Sequence, residues 1–196
     1  FGDLNDKQAE YIKDIQISSL HLLNMINEIL DISKLEAHAM KFSPIELNPT
    51  QTIQEVINIL EPLYKNKNIE VEFNAEFNGL INADYQKFQQ ILYNLLSNAI
   101  KFTPEKGKIE ISSSSKGKNY ILKIKDNGIG IDKKFHNKIF KKFIHLNNVY
   151  TKNQNSTGLG LTITKEHVKL HNGKITLESE LNKGTTFIMD FKRIVL

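Results

Sequence analysis

The sequence predicts an α+β fold, a two-layer arrangement with helices on one face of a mixed sheet, preceded by one long helix. Three observations predict it. Apolar residues near the N-terminus recur at alternating spacings of three and four, the helical period. Alternating strand-like runs further on come in pairs joined by short turns. Helical stretches do not alternate strictly with these runs, which argues against a doubly wound parallel sheet.

Leu4 to Leu35 reads as the long helix, with Ile12, Ile15, Ser19, Leu22, Ile26 and Ile29 on a coiled-coil-like seam. Tyr11, Leu23 and Leu30 widen the stripe, which suits a bundle. No second long seam follows, so its partner is expected from outside this chain or from another copy. The pattern changes at "HAMKF", which divides the chain into residues 1–40 and 41–196. "MKFSPIEL" reads as a strand or extended link. Asn48-Pro49 is an N-cap with Pro at the first helical position, opening a helix to about Lys65. "IEVEFN" and "LINAD" are strands. Asp84 caps a helix that Thr103-Pro104 stops at Phe102. "KIEISSSS" and "NYILKIKD" form a hairpin around Lys116–Lys118. Asp132 opens a short helical stretch, and Ile144 to Thr157 is a long polar loop. Gly158 to Leu170 is helical, with Asn172-Gly173 as its C-cap. "KITLESEL" and "TTFIMDF" are the closing strands.

The 196 residues are 40% hydrophobic and 24% charged, enough for one domain with a good core and an appendage. The chain opens at Phe1 rather than Met, so it is expected to be part of something longer. The net charge is +4, nearly all from Lys, and Arg193 is the single arginine. Bidentate Arg recognition is therefore disfavoured, and no nucleic-acid partner is expected. No apolar run approaches the ~18 residues that span a bilayer, and no signal peptide opens the chain. Membrane attachment is expected only through segments outside it. Zero Cys excludes disulfides and thiol chemistry and fits a cytoplasmic location.

Three stretches carry chemistry. In "IKDNGIGIDK", Asn-Gly is a hairpin signal, but the returning half is too short and runs into a helix start. The alternative is a strand ending in Asp126, then a Gly128-x-Gly130 bend that lets a flat ligand lie against bare backbone. A carboxylate that only accepts hydrogen bonds suits an exocyclic amine such as that of adenine. In "QQILYNLLSNAIKFTP", Asn94 and Asn98 share one helix face, with Lys101 beyond them, while Leu92, Leu95 and Ala99 face the core. Their amides either make local hydrogen bonds or offer oxygens to a hard cation, with Lys101 as a point charge for phosphate. In "STGLGLTITKEHV", glycines precede a helix. That is either a plain join or an anion site built on free backbone N–H groups.

Together these stretches resemble the ATP-binding domain of sensor histidine kinases of two-component signalling. "NLLSNAIKF" is similar to their Asn box, "DNGIGI" to the first glycine box, "IFKKF" to the Phe box, "TGLGL" to the second glycine box and "KGTTF" to the last. "LLNMINEILDISKLEA" resembles the second helix of the kinase dimerization hairpin. The resemblance implies the Bergerat ATP-binding fold, ATP and Mg²⁺ as ligands, and phosphoryl transfer to a His on a dimerization helix, then to a receiver-domain Asp of a response regulator. It implies that Asn98 is the main Mg²⁺ ligand with Asn94 in support, that Lys101 meets phosphate, and that Asp126 takes the adenine amine in a pocket shaped by Gly128 and Gly130. It places Phe140 and Phe143 at the base of the ATP lid, Gly158, Leu159 and Gly160 at the phosphates, and Thr186 near adenine. The family usually carries extra glycines where Asn155 and Ser156 stand, so the lid hinge departs from the pattern. Tyr150 and Lys152 are weaker candidates for nucleotide contact.

The acceptor His of the family is followed by an acidic residue and soon by Pro. His21 is followed by "LLNMIN" and fits the seam instead. The acceptor helix and the second protomer are therefore expected to be partners from outside this chain, which carries no catalytic His of its own. His167 and His171, spaced i, i+4, read as a solvated helix face, and the lysines from Lys133 to Lys142 likewise. His38, His136 and His145 belong to no constellation. Two other readings are a non-kinase ATPase or chaperone of the same fold, and a degenerate interaction module. The kinase-like helix and the intact Asn94, Asn98, Lys101 and Asp126 argue against both.

Overall fold

A computed structural model describes residues 2, 4–37, 39–144 and 157–193. The chain forms two compact units, Phe1–Met40 and Lys41–Leu196. The first holds helix α1 (Asp6–Glu36). Its start is a capping box: Asn5 Oδ1 accepts from Gln8 N–H at 2.9 Å, and Gln8 Oε1 accepts from Asn5 N–H at 3.0 Å. Ile12, Ile15, Leu22, Ile26 and Ile29 are exposed along it, with Tyr11, Leu23 and Leu30 beside them. Among the described residues no helix is long and apolar enough to cross a membrane.

The second unit runs β1 (Ile45–Leu47), α2 (Pro49–Asn66), β2 (Glu70–Ala75), β3 (Ile81–Ala83), α3 (Tyr85–Phe102), β4 (Lys108–Lys116), β5 (Asn119–Asp126), a 3-10 turn at Lys133–Phe135, α4 (Gly160–Leu170), β6 (Lys174–Glu180) and β7 (Gly184–Lys192). Five strands form a mixed sheet in the order β2-β4-β5-β7-β6, parallel at β2–β4 and antiparallel elsewhere. β1 and β3 pair separately.

Alternation sorts the sheet into two faces. Ile109, Ile111, Tyr120, Leu122, Ile124, Phe187, Met189 and Phe191 are buried. They join one core with Ile53, Val56 and Leu60 of α2, Phe88, Ile91, Leu92 and Leu95 of α3, and Val168 of α4. The intervening residues make exposed ion pairs, Lys125–Glu110 at 2.6 Å and Lys108–Glu72 at 2.8 Å. The helices therefore lie on one face, as the sequence predicts.

Local signals work where they are local. Asn48 Oδ1 accepts from Thr50 N–H at 3.0 Å, ahead of Pro49 at the start of α2. Asp84 Oδ1 accepts from Lys87 N–H at 3.2 Å at the start of α3. Two expectations need correction. Helix α4 starts at Gly160, because Gly158 sits at φ +70° and turns the chain before the helix. His167 and His171 are buried rather than solvated. His171 Nε2 accepts from Asp84 N–H at 3.0 Å, and its Nδ1 lies 2.7 Å from the His167 carbonyl. Phe42, Phe88 and Phe191 meet the His171 ring edge-on, so this face of α4 is core. The turn after α4 is made by Asn172 at φ +53°.

Candidate functional site

Helix α3 buries Leu92, Leu95, Leu96, Ala99 and Ile100 and leaves Asn94, Asn98 and Lys101 half-buried along its rim. The Asn94 Nδ2 donates to the Gly160 carbonyl at 3.3 Å and to Thr164 Oγ1 at 3.4 Å. These bonds cross to the start of α4, so the purely local reading of that amide does not hold. The donor end of Asn94 is committed and its oxygen is left. The Asn98 side chain, one turn on, makes no hydrogen bond to another described residue. Burial holds the Lys101 ammonium below the usual lysine range.

The end of α3 is closed from outside the helix. The last four carbonyls of a helix lack intrahelical donors. Here Ala99 O takes Thr103 N–H at 2.9 Å and Phe102 O takes Ile129 N–H at 3.3 Å. Lys67 Nζ supplies Ile100 O at 2.7 Å, Lys101 O at 3.1 Å and Thr103 O at 2.6 Å. An ammonium on three carbonyls also complements the negative end of the helix dipole. Lys67 lies more than thirty residues before these partners, so no short-range sequence signal marks it.

Strand β5 ends in Asp126, as predicted, and no returning strand follows. Asp126 is buried. Its Oδ1 accepts from Gly128 N–H at 2.9 Å and from Thr185 N–H at 3.3 Å. Burial pushes the carboxyl up to about 6, against the lowering effect of these two bonds. The two glycines turn out to serve the protein's own backbone. A Cβ on Gly128 would stand 2.6 Å from the Phe102 carbonyl oxygen. Gly130 has φ +66°, and a Cβ there would strike the Glu180 carbonyl. Their bareness presses the loop onto the end of α3 and onto β6, which sets the loop's position beside Asp126.

Thr186 pairs with Lys125, while Thr185 pairs with Asp126. Directly opposite residues share a face of the sheet, so Thr185 stands on the Asp126 side and Thr186 on the other. The signal was present in "KGTTF": Phe187 faces the core, and residues two apart share a face.

The two phenylalanines divide. Phe140 packs against the core, edge-on to Phe187 with centroids 6.4 Å apart, and its carbonyl accepts from Thr162 Oγ1 at 3.1 Å. Phe143 is 64% exposed, so its ring is not part of the core. Its backbone makes a contact: Phe143 N–H donates to Gly158 O at 3.1 Å with Phe143 at φ +59°. Leu159 is buried, and its N–H donates to Thr157 Oγ1 at 3.2 Å. Among the described residues no side chain caps α4, so its leading N–H groups face no described cap that would compete with an anion. The candidates His38, His145, Tyr150, Lys152, Asn155 and Ser156 lie outside the described residues, as does most of the expected lid.

The site is thus a wall running from Gly160 through Asn94, Asn98 and Lys101 to Phe102, then across Gly128 to Asp126 and Thr185. It can accept from an amine at one end and meet anionic oxygens at the other. Among the described residues no group of three or more His, Cys, Asp and Glu is placed to hold a metal ion. Neutral amide oxygens beside a lysine suit a cation that arrives already carrying phosphate.

Residues 83–194 match the family described as histidine kinase-, DNA gyrase B-, and HSP90-like ATPase. Over 192 residues, 95% of this chain, the sequence is 38% identical to the circadian input-output histidine kinase CikA of Synechococcus elongatus, covering 25% of that protein. The crystal structure of full-length ShkA in complex with AMPPNP matches with a TM-score of 0.85 at 26% identity, over 100% of this chain and 41% of that one. Histidine kinase ThkA in complex with response regulator protein TrrA matches with a TM-score of 0.74 at 26% identity, over 98% and 53%. The chain spans about a quarter of the length of the curated relatives it matches.

Proposed function

The chain belongs to the histidine kinase-, DNA gyrase B- and HSP90-like ATPases, and we propose that it is the ATP-binding catalytic region of a cytoplasmic sensor-kinase portion. In this reading, residues 41–196 hold ATP with Mg²⁺, and α1 is one half of a dimerization hairpin. The γ-phosphoryl passes to a His on a dimerization helix outside this chain, in the same or a second protomer, and then to an Asp of a response-regulator receiver domain. The observation that carries it is Asp126: a buried carboxylate fixed by two backbone N–H groups, at one end of a wall whose other end presents Asn94, Asn98 and Lys101.

Each residue has one task. Asp126 accepts from the adenine amine, with Thr185 beside it. Gly128 and Gly130 hold the loop against α3 and β6. Asn98 and Asn94 offer amide oxygens to Mg²⁺, which when bound would neutralise phosphate oxygens. Lys101 and the N–H groups after Gly158, Leu159 and Gly160 face phosphate. Phe140 holds the segment before the lid. Phosphoryl transfer depends on positioning and charge, so this site binds and orients, and the nucleophile with its base comes from the acceptor helix.

The test is calorimetric titration of ATP with and without Mg²⁺, followed by labelled ATP with an added hairpin bearing the acceptor His. Tight Mg²⁺-dependent binding and concentration-dependent, acid-labile label on the hairpin are expected. No nucleotide binding by the folded chain would overturn the reading.

A further inference from the structure

A serine on β6 arranges the hydrogen-bonding character of the nucleotide site. Ser179 is half-buried, and three groups converge on its Oγ. Ile131 N–H donates to it at 2.8 Å, the Gly184 carbonyl lies at 2.8 Å, and Thr185 Oγ1 at 2.9 Å. Only one assignment of protons satisfies all three. A hydroxyl has one proton and two lone pairs. The Ile131 amide can only donate, so it takes one lone pair of Ser179. The Gly184 carbonyl can only accept, so it takes the Ser179 proton. Thr185 must then donate its own proton to the second lone pair of Ser179. The Thr185 oxygen is left with lone pairs alone. Asp126, directly opposite, is also acceptor-only when ionised, with Oδ1 already occupied.

We propose that Ser179 is a positioning residue that fixes Thr185 as an acceptor, so that the ends of β5 and β7 favour a purine carrying an amine and reject one carrying a carbonyl at the same place. The inference rests on the nucleotide reading of Asp126 and adds to it a residue that need not touch the base. An exocyclic amine has two N–H groups, one for the carboxylate and one for Thr185, directly or through a water. A carbonyl there faces lone pairs from both. Without Ser179, the Thr185 proton is released and the hydroxyl can turn to donate.

The test compares Mg²⁺-ATP with Mg²⁺-inosine triphosphate, whose carbonyl replaces the amine. Dissociation constants are measured for the wild type, Ser179→Ala, Ser179→Thr and Thr185→Val. In Ser179→Ala the preference for ATP should shrink at least about fivefold, the order of one neutral hydrogen bond. Ser179→Thr, which keeps the hydroxyl, should restore it. Thr185→Val should reproduce the loss, and the double variant should add nothing to it. Both affinities falling together in Ser179→Ala, with the ratio kept, would mean a merely structural serine and overturn the proposal. If Ser179→Ala does not fold, an unchanged ratio in Thr185→Val overturns it instead. Failure of the wild type to bind either nucleotide would fall on the ATP reading itself, which separates the two.

Discussion

Thr185 stands directly opposite Asp126 in the β5–β7 ladder, and its backbone N–H donates to Asp126 Oδ1 at 3.3 Å. With Gly128 N–H on the same oxygen, the carboxylate is fixed from two sides and its second oxygen is left outside these two bonds. Two backbone bonds do not offset the burial, so the charge is kept at a cost to the unliganded fold.

Asp126→Asn should therefore act in opposite directions on binding and stability. The amide oxygen can still accept from Gly128 and Thr185, but its NH₂ confronts the adenine amine. ATP affinity should fall at least about tenfold, the scale of a charge-assisted hydrogen bond. The unliganded variant should melt higher at pH 8, since displacing the carboxyl to about 6 costs the ionised fold on the order of 2–3 kcal/mol. Calorimetry and thermal melts read the two effects. Unchanged affinity in a folded variant would remove Asp126 from the site.

The same carboxyl sets a pH dependence. Its folded-state pKa lies above the ordinary 3.8, so its contribution to unliganded stability is complete below 3.8 and is lost as pH rises through about 6. In the proposed reading, nucleotide needs the ionised form. Affinity should accordingly weaken below about pH 6, approaching tenfold per unit. ATP changes its own protonation in this range, so the difference between wild-type and Asp126→Asn profiles isolates the residue. Identical profiles would contradict the assignment.

Asn98→Ala should abolish the Mg²⁺ contribution to ATP affinity and leave adenosine binding nearly intact. Titrations of both ligands with and without the metal check this. A parallel loss of both would make Asn98 a structural residue.

Lys67→Met should loosen the end of α3. Three carbonyls lose a charged donor, which should cost about 2 kcal/mol of stability. Amide exchange should quicken in the last turn of α3 and at Ile129, whose N–H is bound to Phe102 O. Lys67→Arg should keep most of the stability. Exchange unchanged at Ile129 would show that the loop is held without this cap.

What the sequence made legible was short-range. Asn48 and Asp84 act on residues two or three away, and each caps the helix it was expected to cap. Asp126 was readable because a strand must end before Asn-Gly. That Thr185 rather than Thr186 stands opposite Asp126 was not legible, because a one-residue shift in a strand moves a side chain to the opposite face. Phe143 looked like an anchor from its ring, whereas its backbone makes the contact. His167 and His171 looked solvated because polar residues are usually exposed. Asp84 and three aromatic rings, distant in the chain, cover His171. Lys67 and Ser179 were invisible for the same reason, since their partners meet them only in the folded domain.

The parallel pairing of β2 with β4 has a consequence for how the domain assembles. The β4–β5 and β6–β7 hairpins close over a few residues and can form early. β2 cannot reach β4 until residues 76–107 have crossed over the sheet, and that crossover is largely α3. Closing such a loop is entropically costly before its contacts repay it, as is the longer closure that brings β7 beside β5. The helix that carries Asn94, Asn98 and Lys101 is thereby enclosed in one of these costly closures. A chain that has paired β2 with β4 has already carried that helix across the sheet.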